Sequence, residues 1–175
     1  MEKSYKTQLK NITTFIFDVD GVLTDGLVLV TSEGELLRKM NVQDGYSIKT
    51  AIQKGYRICI ISGGTNEGVT KRLKGLGVED VYLGTHNKAE ILARYMDQHT
   101  IDPEEVLYMG DDIPDIPAMQ KAGLPCAPQN ATPEVKAISK YISHKKGGEG
   151  CVRDVIEQVL KVRGDWFQNF SAAND

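Results

Sequence analysis

A chain of 175 residues, 41% hydrophobic and 26% charged, is long enough to bury one sizeable core and too ordinary in composition to be disordered. Its formal net charge of −3, with no basic stripe carrying interleaved aromatics, argues against a nucleic-acid partner. No apolar run approaches the roughly 18 residues of a membrane span and the first ten residues lack a signal-peptide core, so the expectation is a single cytoplasmic domain over residues 1–175 with no membrane partner.

In chain order, the first informative stretch is Phe15-Ile16-Phe17-Asp18-Val19-Asp20-Gly21, an apolar strand that ends abruptly in two carboxylates. Open α/β sheets bind ligands beyond the carboxyl ends of their strands. Like charges so close shift one another's pKa unless a cation lies between them, and a hard ion with oxygen ligands, Mg²⁺, suits that place. Residues 27–30 and 35–40 flank the turn-like Thr31-Ser32-Glu33-Gly34 and read as a β-hairpin over about 27–41, whose apolar face must pack on something. Residues 41–46 read as a loop, with Asp44 starting a helix to about Lys54.

A second strand over 56–61 ends in Ser62-Gly63-Gly64-Thr65-Asn66, where the hydroxyl of Ser62 and the N–H groups of Gly63 and Gly64 would open a helix and suit phosphoryl oxygens. A short third strand over 81–83 leads to Lys88 at the start of another helix, and a fourth over 106–109 closes in Gly110-Asp111-Asp112. Residues 113–122 read as helical, 124–127 as a short edge strand and 133–139 as a short helix. A basic, glycine-rich loop over 145–150 precedes a final helix with Val152, Val155, Ile156, Val159 and Leu160 on one face. Within the C-terminal loop and tail, 144–175, the residues past Gly164 read as frayed, with Trp166 and Phe167 able to dock. The three cysteines, Cys59, Cys126 and Cys151, are too far apart for a zinc motif and read as core residues. Strands alternating with helices make this a doubly wound, Rossmann-like α/β sheet with right-handed crossovers.

In a parallel sheet all four strand ends open on one edge, so Asp18, Asp20, Ser62, Lys88 and Asp111 converge although they are far apart in sequence. Singly each has a plainer reading: the serine as a helix cap, the lysine as a solvated side chain, Gly-Asp-Asp as a turn. Together they supply what phosphoryl transfer asks for. Asp18 is the candidate nucleophile and Asp20 the candidate acid and base. Lys88 is the candidate partner of Asp18 and of the phosphate, and Asp111 completes the metal site with Asp112 or Asp115 behind it.

The string Asp18-Val19-Asp20-Gly21-Val22-Leu23-Thr24-Asp25-Gly26 resembles the first motif of the haloacid-dehalogenase-like phosphatases. With Asn41-Val42-Gln43-Asp44-Gly45-Tyr46, Ile60-Ile61-Ser62-Gly63, Lys71-Arg72-Leu73, Asn87-Lys88, Gly110-Asp111-Asp112 and Gly147-Gly148-Glu149-Gly150, residues 15–162 resemble the capless 3-deoxy-D-manno-octulosonate 8-phosphate phosphatases. The resemblance implies a magnesium-dependent hydrolase of a sugar acid phosphate that serves lipopolysaccharide synthesis and assembles as a homotetramer. It also implies Asp18, Asp20 (through its carbonyl) and Asp111 as metal ligands. Asp20, Asn41, Val42, Gln43, Asp44, Gly45, Lys49, Gly63, Gly64, Arg72 and Lys88 are implied as substrate contacts. One departure is Gly64, where many members carry an arginine able to hold a carboxylate in a bidentate fork.

The spacing leaves no room for a cap domain, between Asp25 and Gly55 or between Ser62 and Lys88. An uncovered site would be wet, so a neighbouring subunit is expected to cover it, with the alternative that the hairpin and tail fold back on their own subunit. Lys49, Arg72, Lys88, Lys145 and Lys146 are expected to form a positive funnel for an anionic substrate. The competing readings are a phosphatase of a nine-carbon sugar acid 9-phosphate and a non-catalytic assembly or phosphoacceptor module.

Overall fold

The computed structural model describes residues 4–167. Its elements in chain order are α1 (Tyr5–Gln8), β1 (Thr14–Phe17), β2 (Leu29–Val30), β3 (Leu36–Leu37), α2 (Val42–Gln53), β4 (Arg57–Ile61), α3 (Glu67–Gly75), β5 (Asp80–Tyr82), α4 (Lys88–His99), β6 (Val106–Met109), α5 (Ile116–Met119), β7 (Leu124–Ala127), α6 (Pro133–Ile138), β8 (Tyr141–Ile142) and α7 (Cys151–Arg163).

Six of the strands form one parallel sheet in the order β5-β4-β1-β6-β7-β8. Alternate residues feed two cores. Phe15, Phe17, Ile58, Ile60, Leu107 and Met109 pack with α2, α3 and α7 on one face. Ile16, Cys59, Ile61, Val106 and Tyr108 pack with α4, α5 and α6 on the other. From β1 the chain runs outward through β4 to β5, then returns through α4 to β6 on the far side of β1. The strand order therefore reverses between β1 and β6, the place where open α/β sheets bind ligands. The pairing of these strands continues past β1, with the Asp18 N–H on the Met109 carbonyl at 3.2 Å.

Between β1 and β4 lie only the β2–β3 hairpin and α2, and between β4 and β5 only α3, so the fold is capless, as expected. Four local expectations need correction. Helix α2 begins at Val42 because Asn41 caps it, accepting from the N–H groups of Gln43 and Asp44; asparagine caps as well as aspartate does and stands three residues earlier. Helix α3 begins only at Glu67, capped by Asn66, so Gly63 and Gly64 lie in the loop before it. Strand β7 is not the edge: β8 pairs with it through Cys126 and Ala127. Nor is the chain frayed directly after Gly164, where Trp166 and Phe167 dock as the sequence allowed; the rest of that expectation, over 168–175, lies outside the described residues. The N–H groups of Asp165 and Trp166 both reach the Leu160 carbonyl, Tyr56 donates to Asp165 at 2.6 Å, and Phe167 stacks on Tyr46.

The hairpin pairs Leu29 with Leu37 and Val30 with Leu36, shorter than the sequence suggests. Its side chains pack on neither core: Leu27 is 71% exposed and Leu29 67%.

Candidate active site

After β1 the chain makes one wide turn over Val19–Leu23, closed by the Thr24 N–H on the Val19 carbonyl at 3.0 Å. Gly21 permits it twice over. Its φ of +84° is left-handed, and a β-carbon there would lie 1.9 Å from Asp111 Oδ2, so Asp111 can approach the loop only over a glycine. The loop is buttressed from the C-terminal side. Gly148 N–H donates to the Val22 carbonyl at 2.9 Å, and Asn41 Nδ2 donates to the Gly148 carbonyl at 3.1 Å. The Gly147-Gly148 segment thus folds back on its own subunit, the alternative to service in a neighbour.

Asp18 is almost wholly buried and its Oδ1 accepts from the Val19 N–H at 2.6 Å. Lys88, at the first turn of α4, bridges two carboxylates, with Nζ 2.7 Å from Asp18 Oδ2 and 2.7 Å from Asp115 Oδ1. Asp115 also accepts from the Tyr108 hydroxyl at 3.0 Å and from the Asp111 N–H at 3.2 Å. It thereby ties the end of β6 to the lysine. Carboxylate oxygens of Asp18, Asp111 and Asp115 lie within 4.8 Å of one another, against one ammonium.

The electrostatic consequence is a set of displaced pKa values. Burial, and then the charge of Asp115, push Asp18 up to about 6 against the pull of Lys88. Burial, and then the charge of Asp18, push Asp111 up to about 7. Burial works against the Lys88 ammonium, but Asp18 and Asp115 outweigh it and raise its pKa. Among the described residues no donor reaches the Asp111 carboxylate. Two carboxylates pushed up by burial and by the charge of a neighbouring carboxylate, one of them without a hydrogen-bond donor among the described residues, are what an oxygen-liganded divalent cation would relieve.

Asp18, Asp20, Ser62, Gly63, Gly64, Lys88 and Asp111 all line one cleft of about 510 Å³, so the predicted convergence holds for all seven. Ser62 is buried, and its hydroxyl has no partner among the described residues. The remaining predicted contacts are not in that lining. Asn41 caps α2. Val42, Gln43 and Lys49 are exposed on α2. Asp44 is buried and accepts from the Arg153 N–H at 2.8 Å, with burial raising it to about 6. Gly45 lies under the Arg72 guanidinium. Lys145 lines a separate cleft with Arg153 and Lys161, so within one subunit the expected funnel reduces to Lys88. Of the two candidates behind Asp111, Asp115 is the one that accepts from its N–H, while Asp112, also in the cleft lining, accepts from the Ile113 N–H.

Three residues escaped the sequence reading. His86 and Thr85 stand at the cleft rim. Arg38, just after β3, grips Asp20 in a bidentate fork, Nε to Oδ1 at 2.7 Å and Nη2 to Oδ2 at 2.9 Å. A charged residue interrupting an apolar hairpin strand was the one available signal for it.

Known proteins are similar to this chain in fold and in sequence. A family of haloacid dehalogenase-like hydrolases matches residues 77–156. The 3-deoxy-D-manno-octulosonate 8-phosphate phosphatase of Salmonella typhi is 39% identical over 158 residues, covering 90% of this chain and 84% of that protein. The chain belongs to this phosphatase family. The Yersinia pestis phosphatase of the same name superposes with a TM-score of 0.90 at 33% identity over 93% of this chain and 88% of that one. The Moraxella catarrhalis phosphatase, described in complex with a magnesium ion, a phosphate ion and a KDO molecule, does so with a TM-score of 0.90 at 33% identity and 95% coverage of both chains. Membership in the phosphatase family gives the hydrolytic chemistry. The capless sheet and acidic cluster described above are the framework on which it operates.

Proposed function

We propose that the protein hydrolyses 3-deoxy-D-manno-octulosonate 8-phosphate to the free sugar acid, through an aspartyl-phosphate on Asp18. The observation that carries this reading is the Asp18–Lys88–Asp115 bridge beside Asp111, at the reversal point of the sheet and facing an unpartnered Ser62.

A carboxylate oxygen of Asp18 attacks phosphorus, the bond from phosphorus to the sugar oxygen breaks, and that oxygen takes a proton from Asp20. Water then attacks the phosphorus of the aspartyl-phosphate and gives its proton to Asp20. The bond to Asp18 breaks, and inorganic phosphate leaves. Lys88 holds Asp18 in place, while the Ser62 hydroxyl and the Gly63 and Gly64 N–H groups are available to the phosphoryl oxygens. Asp18 and Asp111 would hold Mg²⁺ with the Asp20 carbonyl, and the bound ion supplies charge neutralisation at the phosphoryl group. Asp115 holds the Lys88 ammonium and the Asp111 N–H from behind.

The exposed apolar hairpin supports a homo-oligomer, a tetramer by family resemblance, in which a neighbour covers the cleft and brings Val42, Gln43 and Lys49 to it. A cytoplasmic location, where sugar acid phosphates are made and used, completes the reading.

A second substrate reading draws on Gly64. A second groove, lined by Gly34, Leu36, Arg38, Thr65 and Asn66, shares Gly63 and Gly64 with the cleft, and the missing side chain at Gly64 favours a longer substrate such as a nine-carbon sugar acid 9-phosphate. One assay tests both: magnesium-dependent phosphate release from the eight-carbon and nine-carbon substrates, run beside Asp18→Asn. The eight-carbon ester is expected to have the higher kcat/KM, and the mutant to be inactive; activity that survives in Asp18→Asn would remove the covalent mechanism.

A further inference from the structure

Asp20 carries the proton in the mechanism above, yet its own loop hardly holds its carboxylate. Thr24 Oγ1 approaches Asp20 Oδ1 only at 3.5 Å. The firm contacts come from the hairpin. Both oxygens of Asp20 are taken by the Arg38 fork, at 2.7 and 2.9 Å, and the third guanidinium nitrogen, Nη1, donates to the Leu36 carbonyl at 3.0 Å. All three nitrogens of Arg38 are thus engaged at once.

The anchoring is asymmetric. The Arg38 side chain is 8% exposed, against 37% for Asp20. An exposed ion pair contributes little, because solvent screens it and both side chains must be ordered. Here the arginine is already ordered by burial and by Leu36, and the planar fork fixes the carboxylate in angle as well as distance. Leu36 in turn is held from the other side. Asn66 Nδ2 donates to the same carbonyl at 3.0 Å, while Asn66 Oδ1 caps α3 through the Val69 N–H. A continuous path of hydrogen bonds therefore runs from the start of α3 through the Leu36 carbonyl and Arg38 to Asp20.

We propose that Arg38 is the positioning residue for the acid and base of the reaction. The hairpin, which makes no core, sets the direction in which the Asp20 carboxyl faces the leaving oxygen. Arg38 does this through Asp20 and not by touching substrate. The inference rests on the reading of Asp20 given above.

Leaving groups separate this role from a structural one. A sugar alkoxide must be protonated as it departs, whereas p-nitrophenolate leaves without a proton. In the full-length, magnesium-loaded enzyme, Arg38→Ala is expected to lower kcat for the sugar acid phosphate about 100-fold, the scale of a lost acid–base contribution, with KM unchanged. The first-turnover burst of p-nitrophenol from p-nitrophenyl phosphate is expected to keep its wild-type rate. Arg38→Lys, which keeps the charge without the fork, should recover part of the loss and guards against a folding defect in the alanine variant. On an Asp20→Asn background, Arg38→Ala should cost nothing more.

Equal losses for both leaving groups, a rise in KM alone, or additive losses in the double variant would each overturn the proposal. Asp20→Asn with full activity would overturn the reading of Asp20 itself. Asp20→Asn inactive beside Arg38→Ala at the wild-type rate would overturn only the role of Arg38.

Discussion

Gly147 sits against the carbonyl oxygen of Gly21 with no space for a side chain between them; a β-carbon on Gly147 would lie 1.9 Å from that oxygen and 2.9 Å from the Thr24 carbonyl oxygen. Both neighbours are backbone, so neither can swing aside as a flexible side chain would. The loop that carries Asp18 and Asp20 is thereby moulded by a segment more than a hundred residues later. Gly147→Ala is expected to destabilise the fold by about 3 kcal/mol, the upper end for overpacking, and to lower kcat by displacing Asp20. Gly34→Ala serves as the comparison. Its φ of +84° is left-handed, as that of Gly147 is not, but nothing lies within 4 Å, so only the backbone cost of about 1–2 kcal/mol applies. Urea unfolding and steady-state rates on both variants check this; equal effects would mean that close approach at Gly147 is unimportant.

Lys88 is the only cation that touches the buried pair Asp18 and Asp115 among the described residues, and its side chain is 6% exposed. Removing one partner of a buried ion pair leaves charge without compensation. Lys88→Met should therefore cost about 3 kcal/mol or more of stability at pH 8. The cost should shrink at pH 5, where a proton can stand in for the ammonium. Phosphatase activity should fall at both pH values, since the proton that restores stability also quenches Asp18, the proposed nucleophile. Thermal unfolding at the two pH values, with and without the mutation, measures the difference; a pH-independent cost would argue against the bridge.

The raised pKa values of Asp18, about 6, and Asp111, about 7, fix the sign of a pH effect. Unfolded aspartates titrate near 4, so between about pH 4 and 7 the metal-free folded chain binds more protons than the unfolded one. Stability from these two groups is fully present below pH 4 and is lost as pH rises through 6 and 7. Magnesium needs both carboxylates ionised, so it competes with those protons. The gain in Tm on adding Mg²⁺ is expected to be larger at pH 8 than at pH 5. Taking the difference between loaded and metal-free protein isolates the cluster, because Asp44, also raised to about 6 by burial, lies at the contact of α2 with α7 and titrates in both. A gain independent of pH would show that these carboxylates are not the metal's ligands.

Most of the cleft was legible because a parallel sheet converts order along the chain into position along an edge. Each apolar run announced a strand, and the residue after each run was therefore placed at one rim: Asp18, Ser62, Asp111 and, one loop later, Lys88. What the sequence hid are contacts between segments with no shared period. Arg38 meets Asp20 across a hairpin of only two paired residues per strand, too short to show an alternation. Asp44 looked like a helix start because aspartate is a good cap, yet its carboxylate is taken up by the Arg153 N–H, 109 residues away. Pro125 made β7 look like an edge, since proline cannot donate to a ladder. The two-residue β8 that covers it carries no pattern of its own.

The hairpin leaves Leu29, 67% exposed, and Val30, 61% exposed, beside Leu36 and Leu37 on a surface that a lone subunit would present to water. Patches of this kind on an otherwise charged protein mark association, and a stable contact needs on the order of 800 Å² from each partner. Because these side chains join neither core, they can be altered without disturbing the sheet. Leu29→Glu combined with Leu37→Glu places like charges opposite one another in the hairpin and in any interface built from it. Sedimentation velocity is expected to show wild-type tetramers and smaller species for the double variant, while far-UV circular dichroism stays the same. If a neighbour covers the cleft, kcat/KM for the sugar acid phosphate should fall more than that for p-nitrophenyl phosphate, whose small leaving group needs less cover. A wild-type protein that sediments as a monomer, fully active on the sugar acid phosphate, would show that one subunit suffices.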